Sequence, residues 1–181
     1  MNYFISTGEL SGDLHASYIV EKIKNLDKNA KVYAIGGMNL KKQDVEIVRD
    51  IDSLAIMGFV EVVKNFNFLK KVLEETVEFI LSNNIDRVVL VDYGGFNLKL
   101  LERLKLKKPS LKITYYIPPK VWIWGKKRVP KIAKADEILV IFPWEVDFYK
   151  KENVKALYFG NPFMEKYEKI TKKGDNILLL P

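Results

Sequence analysis

Short apolar runs alternate along the chain with longer segments in which apolar residues recur every three or four positions, the pattern of a parallel sheet covered by helices. Tyr3 to Thr7 predicts the first strand, and Leu14 to Leu26 a helix with Ala16, Ile19, Val20 and Ile23 on one buried stripe. Lys31 to Ile35 predicts a second strand ending in Gly36-Gly37, and Val45 to Val48 a weaker third; Leu69, Val72, Leu73, Thr76 and Ile80 mark one face of a long helix. In Arg87 to Val91 four consecutive aliphatic residues follow Arg87 and Asp92 closes the run. Apolarity on both faces is what a central parallel strand requires. Lys112 to Ile117, Glu137 to Phe142, Ala156 to Phe159 and Asn176 to Leu180 predict further strands, with a charged helix over Met164 to Lys172. Pro118-Pro119 bars a helix before Val121. The expected fold class is therefore α/β, a Rossmann-like parallel sheet with helices on both faces. An apolar strand directly before Pro181 has nothing after it, so 1–174 reads as one domain and 175–181 as the opening strand of a second.

A length of 181 residues fits one domain or slightly more, and 48% hydrophobic against 29% charged residues is the balance of a globular core. The net charge is +7, but twelve basic residues and a single acid, Glu102, lie between Leu98 and Lys134, a local charge of +11. A basic sector on a mildly acidic body suits a phosphorylated ligand, a nucleic acid or an anionic membrane, or is simply a solvated lysine-rich face. Zero cysteines exclude disulfides, thiolate metal sites and cysteine nucleophiles, and the single histidine, His15, excludes multi-histidine zinc sites. The N-terminus lacks a basic n-region, and no apolar run approaches the ~18 residues of a membrane span.

Ligands of open α/β sheets bind outside the carboxyl ends of the strands, which brings forward the loops Gly8 to Asp13, Gly36 to Met38, Asp92 to Asn97, Pro118 to Lys127 and Gly160 to Pro162. Gly8-Glu9-Leu10-Ser11-Gly12-Asp13 matches neither a dinucleotide fingerprint nor a P-loop nor a nucleophile elbow. Either Ser11 caps the next helix and Asp13 complements its dipole, or Glu9 and Asp13 hydrogen-bond sugar hydroxyls. His15, on the first turn of that helix, sits at the positive end of the dipole, which favours a neutral ring able to donate to a sugar or phosphate oxygen, or is simply structural. Asp92, emerging beside Gly94 and Gly95, is the best-placed acid for general-base work, unless it serves only to satisfy the N–H groups of the next turn. Leu54 to Val63, apolar except for Glu61, reads as a buried helix or as a patch for acyl chains or a bilayer. Tyr115 to Arg128 combines aromatics, prolines and cations, a composition that stacks sugars or bases while pairing phosphates, or settles at a membrane interface.

Together these loops resemble the lipid-A-disaccharide synthases, glycosyltransferases of the GT-B architecture. The resemblance rests on Gly8 to Asp13, Met57-Gly58-Phe59-Val60-Glu61-Val62, Asp92 with Phe96-Asn97, Tyr116 to Trp124 with Arg128-Val129, Phe142-Pro143-Trp144-Glu145 with Phe148-Tyr149, and Gly160-Asn161-Pro162. It implies the N-terminal, acceptor-binding domain of such an enzyme, active only with a C-terminal donor-binding domain. The implied reaction moves 2,3-diacylglucosamine from its UDP donor to 2,3-diacylglucosamine 1-phosphate, forming a β-1,6 disaccharide with inversion, without metal or other cofactor. Asp92 maps onto the family's strand-end acid, the base for the acceptor's 6-hydroxyl. Glu9, Ser11, Gly12, Asp13, His15, Met57, Glu61, Phe96, Asn97, Lys120, Trp122, Arg128 and Asn161 are the implied substrate-binding residues. The implied location is cytoplasmic, peripheral to the inner face of the cytoplasmic membrane, with its anionic surface as a partner and homo-oligomerisation left open. The chain departs from the family's usual pattern at Tyr93-Gly94-Gly95, Gly125 and Asn161. Alternatives are a related glycosyltransferase with another acceptor and a membrane- or anion-binding remnant; nucleic acid is not expected, since the basic run carries no recognition-helix or RNA-sheet motif.

Overall fold

The computed structural model describes residues 1–52, 66–123, 125–162 and 164. Their elements run β1 (Asn2–Ser6), α1 (Leu10–Leu26), β2 (Lys31–Gly36), α2 (Met38–Lys41), β3 (Glu46–Asp50), α3 (Phe66–Ser82), β4 (Arg87–Val91), α4 (Gly94–Lys107), β5 (Lys112–Tyr116), a 3₁₀ turn (Lys126–Arg128), α5 (Val129–Ile132), β6 (Glu137–Val140), α6 (Pro143–Lys151) and β7 (Leu157–Tyr158). The strands form one parallel sheet in the order β3-β2-β1-β4-β5-β6-β7, with Ser6 opposite Leu90 and Val91 opposite Tyr116. The Rossmann-like α/β expectation holds, and β4 is the middle strand of the seven.

Alternation along the central strands builds two cores, because successive side chains of a strand point to opposite faces. Phe4, Val88 and Leu90 join the side chains of α3, α4 and α5 on one face, while Ile5, Val89 and Val91 join Ala16 and Val20 of α1 and Leu40 of α2 on the other. On α3 the expected stripe is buried at Val72, Leu73, Thr76 and Ile80. Thr76 donates its hydroxyl to the Val72 carbonyl at 2.7 Å, which satisfies it within the helix. Helices α4 and α6 fill stretches for which the sequence pattern gave no explicit helix.

The first helix starts earlier than its apolar spacing indicates. Leu10 to Asp13 form its opening turn, with Asp13 N–H bonded to Glu9 O at 2.9 Å, so the N-cap is Glu9 and Ser11 lies exposed inside the helix. The expectation of Ser11 as N-cap is thereby corrected. Gly12 lies inside the helix, where a Cβ would come within 2.2 Å of Thr7 Oγ1, so it serves the close approach of helix and strand end and not a turn. The apolar stretch Leu54–Val63 with Met57 and Glu61, the Met164–Lys172 helix and the 175–181 strand lie outside the described residues, Met164 excepted.

Candidate active site

The sheet order reverses its direction of growth between β1 and β4, and the crevice at such a switch point is where open α/β sheets take their ligands. Asn97, fully buried on α4, ties the two strand ends together. Its Oδ1 accepts from Ser6 Oγ at 2.7 Å, and its Nδ2 donates to the carbonyls of Ser6, Val91 and Asp92 at 3.1, 3.2 and 2.9 Å. One carboxamide thus fixes where the chain leaves β4.

Asp92 and Tyr93 leave it in the left-handed region, at φ 47° and 48°. Ile117, at the same level just past the end of β5, has φ 55°, a conformation unfavourable both for a β-branched residue and for one preceding proline. Such backbone persists only where the surroundings over-determine it. Here Asp92 N–H bonds to Tyr116 O, Ile117 N–H to Leu139 O, and the Tyr115 hydroxyl to Asp92 O, at 3.1, 3.0 and 3.0 Å. Gly94 admits the Pro119 ring, which a Cβ would meet at 2.4 Å. The result is a cleft of about 330 Å³ bounded by Asp92, Gly94, Gly95, Ile117 to Lys120 and Arg128.

Burial pushes the Asp92 carboxyl up, against the opposing pull of the Tyr93 N–H and the Lys120 ammonium. A partly desolvated carboxylate is a stronger base than one in water, and a cation beside it keeps it ionisable. The arrangement therefore offers one base and two cations, Lys120 and Arg128, around a space that admits a hydroxyl and an anionic group.

The Lipid-A-disaccharide synthetase family model matches residues 3–179. The chain belongs to this family. The lipid-A-disaccharide synthase of Geobacter metallireducens is 37% identical over 163 residues, covering 90% of this chain and 42% of the relative. That of Coxiella burnetii is 33% identical over 156 residues, covering 86% and 41%, and that of Persephonella marina 36% over 166 residues, covering 90% and 42%. The chain spans about two-fifths of the length of these curated relatives. Among solved structures, UDP-GlcNAc 2-epimerase from Neisseria meningitidis bound to UDP-GlcNAc superposes with a TM-score of 0.64 at 10% identity, covering 89% of this chain and 46% of that one, a likeness of fold.

Within this family member the implied site residues divide by position. Asp92, Lys120 and Arg128 line the cleft; Phe96 is buried and stacked on Tyr93, ring centroids 5.7 Å apart. Glu9 is exposed, and the Tyr93 phenol is raised first by burial and then by the Glu9 charge. Asp13 points elsewhere: its two oxygens accept from Gly37 N–H at 2.6 Å and Asn39 N–H at 2.8 Å, holding the start of α2. His15 is buried, and desolvation lowers its pKa, leaving a neutral imidazole at neutral pH. Trp122 donates Nε1 to Glu145 Oε1 at 3.2 Å and packs edge-on against Trp144 at 4.5 Å. Asn161 follows β7, three strand spacings, or ~14 Å, from β4, and does not line the cleft. Met57 and Glu61 lie outside the described residues.

The basic sector is less charged in space than along the chain. Arg103 pairs with Glu74, Lys105 and Lys112 with Asp136, Lys126 with Glu152, and Lys131 and Lys134 with Glu102. Sequence reasoning passed over Glu145 as a site residue. Buried, it also accepts Phe142 N–H at 3.1 Å, and so fastens the start of α6 to the Trp122 loop that walls the cleft. A proline at the first helical position with a glutamate two residues on was the available signal.

Proposed function

We propose that the chain supplies the acceptor side of lipid A disaccharide synthesis, with Asp92 as general base. The observation that carries this reading is the placement of a burial-raised carboxyl at the switch-point end of the middle strand, in a cleft shared with Lys120 and Arg128, in a chain of this family. Asp92 takes the proton of the 6-hydroxyl of 2,3-diacylglucosamine 1-phosphate as that oxygen attacks the anomeric carbon of the UDP-linked 2,3-diacylglucosamine. The new C1–O bond forms as the bond to the UDP oxygen breaks, and UDP leaves with the electron pair. Attack opposite the leaving group gives the β-1,6 disaccharide with inversion. Lys120 and Arg128 offset the charge of the acceptor phosphate, and a lipid-borne acceptor draws the enzyme to the anionic inner face of the membrane. Family members act at about twice this chain's length, so donor binding is assigned to the part of the relatives that this chain does not span.

The test joins this chain to the remaining part of the Geobacter metallireducens synthase and follows UDP release with both diacylated sugars. Turnover that Asp92→Asn lowers by about 10²–10⁴-fold, with little change in KM, supports a general base. Turnover indifferent to Asp92→Asn would refute it.

A further inference from the structure

The Asp92 carbonyl accepts two hydrogen bonds, from Asn97 Nδ2 at 2.9 Å and from the Tyr115 hydroxyl at 3.0 Å, while Asp92 N–H bonds to Tyr116 O at 3.1 Å. One donor satisfies a buried carbonyl, so the second calls for another reason. Tyr115 is fully buried on β5, in the core that also holds Leu90 and Ile113. Phenylalanine would fill the same space, and a hydroxyl taken out of water costs free energy unless it is bonded. What the hydroxyl adds is its bond to Asp92. Burial, and after it the Asp92 charge, hold the phenol well above its usual value, so it stays protonated and remains a donor.

The peptide that receives this bond is the one whose N–H belongs to Tyr93. Burial raises the Asp92 carboxyl, and that N–H pulls against it. The C=O and N–H of one peptide share a plane, so two donors on the carbonyl fix the direction in which the N–H points. A donor on the C=O also polarises the peptide and strengthens its N–H. Asp92 and Tyr93 both lie in the left-handed region, which non-glycine residues leave unless held. A line of polar groups thus runs from the Tyr115 hydroxyl through the peptide between Asp92 and Tyr93 to the carboxyl, although Tyr115 is not among the residues that line the cleft.

We infer that Tyr115 is a positioning residue for the base: its hydroxyl locks the peptide between Asp92 and Tyr93 and so holds the Asp92 carboxylate in place at the cleft. The catalytic part of this rests on the reading of Asp92 as general base; the lock itself does not. Without the hydroxyl the peptide turns more freely, its N–H acts less on the carboxyl, and the carboxyl keeps its proton to higher pH. Lys120, the cation that also acts on the carboxyl, lies on the loop beyond β5 and is left as it was.

The experiment follows the Asp92 side-chain carboxyl by NMR titration of this chain, as the parent and as Tyr115→Phe, with Asp92→Asn identifying the resonance. Thr76→Val is the control, since it too deletes a buried hydroxyl bonded to a carbonyl, at 2.7 Å, but within α3. Thermal melts of every variant follow folding. Tyr115→Phe should move the Asp92 midpoint to higher pH, and Thr76→Val should leave it at the parent value. In the chimera with the remaining part of the Geobacter metallireducens synthase, Tyr115→Phe should lower kcat by about 10–10²-fold with KM unchanged, and should shift the acid limb of the pH profile upward. A midpoint that Tyr115→Phe moves no further than Thr76→Val does would overturn the lock. An unchanged kcat in a chimera that Asp92→Asn disables would overturn the positioning role. Turnover indifferent to Asp92→Asn, with the midpoint still moved by Tyr115→Phe, would instead sink the general-base reading and leave the lock standing.

Discussion

Asn97→Ala tests whether the candidate site is held by one carboxamide. The substitution removes the acceptor for Ser6 Oγ and the donors for three carbonyls, all at the junction of β1 and β4. Two N–H groups shared among three carbonyls amount to two full bonds, which with the serine bond makes three. At ~1 kcal/mol net per buried hydrogen bond the loss is about 3 kcal/mol, with a further penalty if water cannot reach the orphaned groups. With a urea m-value of ~2 kcal/mol/M this lowers the denaturation midpoint by about 1.5 M. Equilibrium urea unfolding followed by far-UV circular dichroism reads it directly. Ser6→Ala, which deletes only one of these bonds, should cost about 1 kcal/mol, and the double variant should cost less than the sum, because the pair shares a partner. A midpoint shift below about 0.5 M for Asn97→Ala, or strict additivity with Ser6→Ala, would refute the clamp.

Further outcomes follow from the same geometry. Asp92 is raised by burial, so the folded state binds more protons than the unfolded state as pH climbs above the ordinary value of 3.8, and stability falls through that window; Asp92→Asn should therefore melt higher than the parent chain at pH 7 and level with it below pH 3.8, as calorimetric scans across pH will show. Asp13→Ala should cost about 3 kcal/mol by losing two charge-assisted bonds to Gly37 and Asn39, and hydrogen exchange should show faster protons at those two amides first. Gly12→Ala should lose about 1–3 kcal/mol by overpacking against Thr7 Oγ1; adding Thr7→Ala should restore most of the melting temperature, and failure of that rescue would assign Gly12 a backbone role.

The sequence by itself determined the sheet. A strand buried on both faces must be apolar at every buried position, so Val88 to Val91 marked the middle of the sheet from local composition, and the helical stripe on α3 followed from spacing in the same way. The acid at the end of that strand was legible too, because strand ends are where such sheets bind ligands. What lies near Asp92 was decided only by tertiary structure. Asp13 looks like a loop acid until its partners, Gly37 and Asn39, are brought to it from the end of β2. The charge of the segment Leu98 to Lys134 looks like a binding face until Glu74, Asp136 and Glu152 fold onto it. The left-handed turns at Asp92, Tyr93 and Ile117 carry no glycine to announce them, because long-range bonds from Tyr115 and to Tyr116 and Leu139 help hold a backbone that local propensity rejects. Periodicity reports how a residue is buried, and the chain writes that locally; which loops converge on a cleft depends on strand order, which no local pattern encodes.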